Sequence, residues 1–379
     1  MRYHKLFNKS TNVALLALTV SVSSPVIFAA QNGLPKSGMH HHAEFVYSAN
    51  QAADNVSAYK VDNVSGKLIQ VPGSPFKAGK FPVSITVSPN GKFIYVANQG
   101  SNSISIYKAD PISGSLSPIS GSPFKAGKYP DAIELTPNGR FAYVANEDDR
   151  TITAYKVNKK TGALSRVSKP APTSDHPIAV TVSPNGKFAY VSNFYGDSVS
   201  AYRINTKSGG LTPVGKTVPV DMHPIYIAVS QDNRFAYVAN YGTATVSAFT
   251  INQKSGELTE VKGSPFTAGA QPYSVTVDPS NRFVYVANWG SHNVSAFTVD
   301  LKTGVLTEVA GSPYATGWYP YAVIVDPDDH YAYVADNGQG TISAYTIDIS
   351  TGGLSKMSGS PFESGLGPYS LTVSQLVIK

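Results

Sequence analysis

The stretch KFIYVANQGSNSISIY, residues 92–107, decides the fold. An apolar and aromatic run ends at Asn98, Gln99-Gly100-Ser101-Asn102 make a turn, and residues 103–107 alternate with period two as a half-buried strand does. Outward on the N-terminal side, residues 83–87 (VSITV) read as a further strand, joined through the turn signal Ser88-Pro89-Asn90-Gly91. On the C-terminal side, a loop with Ser113-Gly114 leads to a fourth strand at residues 116–119, and Gly121-Ser122-Pro123-Phe124 opens a longer connection to Pro130. Labelled A to D in chain order, the D strands contain Pro118 and Pro213. Proline cannot donate to a strand ladder, so D belongs at an outer edge.

The phrase closing strand B recurs seven times, ending at Asn50, Asn98, Asn146, Asn193, Asn240, Asn288 and Asp336, with spacings of 48, 48, 47, 47, 48 and 48. A period of this size with four strands per unit marks propeller blades. The repeat opens on a B strand at residues 45–50 and closes on an A strand at residues 369–373. Pairing the last strand with the first removes both exposed edges. The sequence therefore predicts an all-β, seven-bladed β-propeller over residues 44–379, with four antiparallel strands per blade and a ring closed by the C-terminal strand.

Composition agrees. The 379 residues include 32 Gly, 26 Pro and 23 Tyr, with only 14% charged, which excludes coiled coils and helical solenoids. An aromatic fraction of 11% argues against disorder. Residues 1–30 carry Arg2, Lys5 and Lys9, no acid, and an apolar stretch that ends in Ala29-Ala30, the pattern of a secretory signal peptide. Its removal would take the net charge from +6 to +3, because those three cations leave with it. So small a charge gives no reason to expect a nucleic-acid partner. The absence of cysteine removes disulfides, thiol nucleophiles and thiolate metal sites. Residues 31–43 read as a flexible linker, in which His40-His41-His42 is either an exposed tract or a transition-metal ligand set. The mature chain is expected to be periplasmic or secreted, without a membrane span, and a monomer.

The phrases YVAN, SVSAY, TGxLT and GSPFxAG resemble the seven-bladed propellers of the lactonase family, with its 6-phosphogluconolactonase-type and muconate-cyclase-type enzymes, and are similar to YVTN-repeat surface and periplasmic propellers. The resemblance implies the fold over the whole mature chain. For activity it implies a lactonase or cycloisomerase, with one departure. The Gly-Pro-Arg-His phrase of the gluconolactonase-type branch is matched here by Gly367-Pro368-Tyr369-Ser370, and no Arg-His pair occurs. That departure and the leader speak against a phosphosugar substrate.

Function should be written on the face that carries the B–C turns and D–A connections. Residues repeated in every blade, such as the strand-B Asn, are best explained by structure. Variable positions there include Glu147, Phe194, Tyr241 and Trp289 after that Asn, and His176 and His223 before the strand-A proline. Asp131, Tyr226, Tyr273 and Tyr321 follow that proline. Glycine would be the easy residue in such turns, so bulky ones ask for a reason. His176, His223 and Glu147 are the candidate acid–base groups. Asp131, Phe194, Tyr226, Tyr241, Tyr273, Trp289 and Tyr321 are the candidate ligand-binding set, suited to a small polar ligand, a glycan or a protein segment. Neither a cofactor nor a metal is expected, since no nucleophile elbow, Walker loop or HExxH occurs. The sequence favours a binding or scaffold module, with hydrolysis or cycloisomerisation of an unphosphorylated lactone as the alternative.

Overall fold

A computed structural model describes residues 42–377, so the signal-peptide reading and His40-His41 lie outside the described residues. Seven antiparallel sheets form a propeller of seven blades. Blade 2 shows the pattern: strand A at Pro82–Val87, B at Phe93–Asn98, C at Ser103–Ala109 and D at Leu116–Pro118. The expected long connection after D holds a fifth strand of two residues, Phe124–Lys125, which pairs with the start of C. All seven blades carry this addition. Pro118 and Pro213 do sit in D strands, on the outer edge.

Closure is as expected. The C-terminal strand Pro368–Val377 pairs antiparallel with the first strand, His42–Asn50, and so supplies strand A of blade 1. That first strand begins two residues before the expected domain start at Glu44.

The alternation in strand C does not mean half-exposure. Only Lys108 of Ser103–Ala109 is exposed, because each blade is packed on both faces by its neighbours. Strand B is buried along its whole length for the same reason.

The repeated residues are the fasteners between blades. The first aromatic residue of strand B lies on the glycine of the next blade's C–D loop; a Cβ on Gly114, whose φ is +75°, would meet the Phe45 ring at 2.3 Å. Two residues on, the strand-B tyrosine donates its hydroxyl to that glycine's carbonyl. Tyr95 to Gly162 (3.0 Å) and Tyr237 to Gly304 (3.1 Å) are examples. Tyr333 reaches Gly66 at 2.8 Å, so blade 7 grips blade 1 in the same way. Each buried ring contributes about 2–3 kcal/mol of burial, and each hydroxyl settles a carbonyl that would otherwise be stranded.

The strand-B Asn is structural, although not through the turn that follows it. Asn98 accepts the Gly79 N–H at 3.1 Å and donates to the Ser105 hydroxyl at 2.9 Å, tying the preceding loop to strand C. Asp336 holds the same place, accepting from the Gly317 N–H at 3.0 Å and the Ser343 hydroxyl at 2.6 Å.

Candidate functional site

The B–C turns and D–A loops meet on one face. In every blade the N–H after the strand-B Asn or Asp donates to the carbonyl of the residue before the strand-A proline, at 2.8–3.1 Å. Those carbonyl residues lie in the left-handed region: His176 at φ 54°, His223 at 57°, Tyr129 at 54° and Gly367 at 69°. The first three bear side chains where glycine would be unstrained, at a cost of order 1 kcal/mol each.

This geometry assembles an acidic cluster across blades 2 to 4. Gln99 donates to Asp131, which is fully buried. Asp131 is hydrogen-bonded to Glu147. Burial raises the Glu147 carboxyl above the usual carboxylate range, against the opposing pull of Asp131 and of the His176 charge. His176 places Nε2 3.8 Å from Glu147 Oε1 and Nδ1 2.8 Å from Asp175 Oδ1. Asp175 in turn pairs with Arg150 at 3.0 Å. Tyr129, on the same turn, has its hydroxyl pushed up to about 12 by burial and by the Asp131 and Glu147 charges.

Aromatic residues continue the arc. His223 stacks on Phe194 at 4.5 Å, and Tyr195 lies edge-on to His176 at 4.4 Å and to His223 at 5.8 Å. Tyr241 follows at 6.5 Å from Phe194, then Trp289 at 6.2 Å from Tyr241, with Tyr319 stacked on Trp289 at 4.6 Å. Further in, Tyr273, Tyr321 and Tyr369 touch one another from three consecutive blades, and the Tyr273 and Tyr369 hydroxyls pair at 2.8 Å.

The expected residues thus separate into three groups. Asp131 and Glu147 are hydrogen-bonded, and His176 lies beside them with Nε2 at the ion-pair distance of 3.8 Å from Glu147. His223 does not join them, its ring being stacked on Phe194 and its backbone N–H donating to Asp197 Oδ1 at 2.8 Å. Phe194, Tyr241, Trp289 and Tyr321 form the aromatic arc, but Tyr273 is fully buried and plugs the ring with Tyr369. Tyr226 is a core residue, 2% exposed. It stands two residues after its proline, where Tyr273, Tyr321 and Tyr369 stand one after theirs. Sequence reasoning missed Gln99 as a partner of Asp131, Asp175 as a partner of His176, and the exposed Tyr195 (57%) and Trp318 (59%). All four neighbour positions that were singled out, one residue away or in the equivalent turn. A cavity of about 210 Å³ lined by Pro89, Phe93, Pro137 and Lys159 opens on the opposite face, away from this chemistry.

The family profile described as Lactonase, 7-bladed beta-propeller matches residues 10–127, 69–181, 120–224 and 221–318. The chain belongs to this lactonase family. No curated protein matches it. Solved structures similar to this lactonase-family propeller include a candidate 6-phosphogluconolactonase from Bacteroides fragilis, 20% identical, with a TM-score of 0.78, covering 89% of this chain and 100% of that one. A second candidate 6-phosphogluconolactonase, from Bacteroides uniformis, is 18% identical with a TM-score of 0.78 over 88% and 99% of the two chains. The periplasmic gluconolactonase of Pseudomonas aeruginosa is 20% identical with a TM-score of 0.74 over 89% and 100%. At these identities the likeness shows the fold. Among the described residues no helix is long and apolar enough to cross a membrane.

Proposed function

We propose that this propeller is an exported hydrolase of unphosphorylated sugar-type lactones. The observation that carries the reading is the run Asp175–His176–Glu147–Asp131 beside an aromatic wall. With Asp175 accepting the Nδ1 proton, His176 keeps the Nε2 lone pair as a base, directed to the same side as Glu147. His176 takes a proton from the attacking water as its oxygen bonds to the lactone carbonyl. Glu147, whose carboxyl burial raises above the usual carboxylate range, serves as the acid and gives its proton to the ring oxygen as the acyl C–O bond breaks. The imidazolium returns a proton to Glu147, and the net result is lactone plus water to hydroxy acid. Trp289 and Tyr241 supply apolar faces for the pyranose or furanose ring.

The preference for a substrate without phosphate rests on charge: Asp175 and Glu147 flank the base, Asp131 lies beside Glu147, and Arg150 is taken by Asp175. Export rests on the leader-like residues 1–30 and on the likeness to a periplasmic gluconolactonase. A second reading, a non-catalytic module for a glycan or protein, is favoured by the exposed Tyr195, Met222, Trp318 and Tyr319 on this face.

The test is hydrolysis of glucono-δ-lactone and its 6-phosphate by the purified chain, corrected for spontaneous opening. Turnover of the neutral lactone is expected, with His176→Ala lowering kcat about 100-fold or more and leaving KM within about threefold. Preference for the phosphorylated lactone, or full activity in His176→Ala, overturns the assignment. Binding of the lactone without turnover supports the second reading.

A further inference from the structure

The opposite face carries a second chemistry. Five A–B turns end in a basic residue just before strand B: Lys92, Arg140, Lys187, Arg234 and Arg282. In blade 7 the turn is Asp326-Pro327-Asp328-Asp329-His330, with three aspartates and a closing histidine. In blade 1 the basic position is Glu44. Where other seams carry cations, the seam between blades 7 and 1 carries acids.

Asp326, Asp328 and His330 each offer one ligand atom, and these atoms all lie within 4.8 Å of one another. Asp326 is 1% exposed, and its Oδ1 accepts the Tyr331 N–H, which caps the turn as Ser88 and Thr136 do in other blades. Serine or threonine makes that cap in four blades and Asp278 makes it in blade 6, so a carboxylate can both cap the turn and face the neighbouring ligand atoms. A separate observation comes from the neighbouring blade. Glu44 is 7% exposed, its Oε1 makes no hydrogen bond, and its charged neighbours are Asp326 and Asp328. The unpartnered Oε1 is a buried polar atom that a bound cation would satisfy.

We propose that Asp326, Asp328 and His330, with Glu44 closing the set from blade 1, bind one divalent transition-metal ion across the closure seam. Carboxylates with one imidazole and no thiolate suit Zn²⁺ or Mn²⁺ better than Ca²⁺, which takes oxygen donors alone. An ion held by both blades ties the last blade to the first beside the seam that the C-terminal strand closes.

The test uses chelator-treated full chain in which His40, His41 and His42 are changed to Ala, so that the tract cannot contribute. Calorimetric titration with Zn²⁺ is expected to give one ion per chain and to raise Tm. Asp328→Asn and His330→Gln, both at exposed side chains, should weaken Zn²⁺ affinity about tenfold or more without changing the metal-free Tm. No binding, or equal affinity in both variants, overturns the proposal. So does Ca²⁺ stabilisation that survives His330→Gln, which would mark an all-oxygen site.

Discussion

Replacing Asp336 by Asn should stabilise the protein at pH 8 and hardly at all at pH 4. Six blades carry Asn at this position and only blade 7 carries Asp. Burial is the main cause that raises the Asp336 carboxyl from an ordinary 3.8 to about 6, although the Ser343 hydroxyl and the Gly317 N–H favour its charged form. A carboxyl with a raised folded-state pKa is harmless below its unfolded value. Its penalty grows from pH 3.8 to about 6 and stays constant above. A shift of this size corresponds to at most about 3 kcal/mol at 1.36 kcal/mol per unit. Asparagine has the shape to keep every contact: Oδ1 accepts from Gly317, and Nδ2 donates to the Ser343 hydroxyl, as Asn98 does to Ser105. The expected gain at pH 8 is about 1–3 kcal/mol, or a few degrees in Tm for a domain of this size. Scanning calorimetry of both proteins at pH 4 and pH 8 checks it. An equal Tm difference at the two pH values, or destabilisation at pH 8, would refute the burial argument.

Two further outcomes are expected. Deleting residues 369–379 removes strand A of blade 1 and bares one edge of His42–Asn50, so size-exclusion chromatography should show aggregates instead of a stable monomer. Gly209→Ala, at φ +81° with its Cβ 2.4 Å from the Phe141 ring, should cost about 2–4 kcal/mol in denaturant titration, whereas Gly215→Ala, at φ +61° with nothing within 4 Å, should cost only about 1 kcal/mol.

Much of the fold was legible because the fasteners are themselves the repeat. The strand-B aromatics and the C–D glycine recur at a fixed period, and their recurrence set both the blade number and the phase of closure. The two-residue fifth strand was not legible. Phe124–Lys125 is too short for any period to show, and only pairing with strand C makes it a strand. Burial of strand C was misjudged because alternation reports chemistry: Ser105 is covered while bonded to Asn98 of its own blade, and Ile104 and Ile106 enter the core. Contrast among blades singled out Glu147 and His176, which the fold brings within 3.8 Å of each other. It could not find Asp175, since the value of that residue lies in a hydrogen bond to the histidine next to it. Tyr226 was placed one step out, because each strand A meets strand B with a register shift just after its proline, where counting from the proline gives no reliable facing.

The closing pair of strands also fixes where the chain can be held. His42 lies opposite Val377, while Asn50 and Pro368 lie at the other end of the same two strands, on the face that carries His176 and Trp289. The two ends of the described chain, His42 and Val377, therefore lie side by side on the far side from those residues. A chain tethered at either of these ends, to a resin, a sensor chip or an envelope anchor, would present the aromatic arc outward like a dish on a mast. Because the two ends are adjacent, a short peptide could join them and the ring could be opened at any of the other blade junctions without turning that dish away.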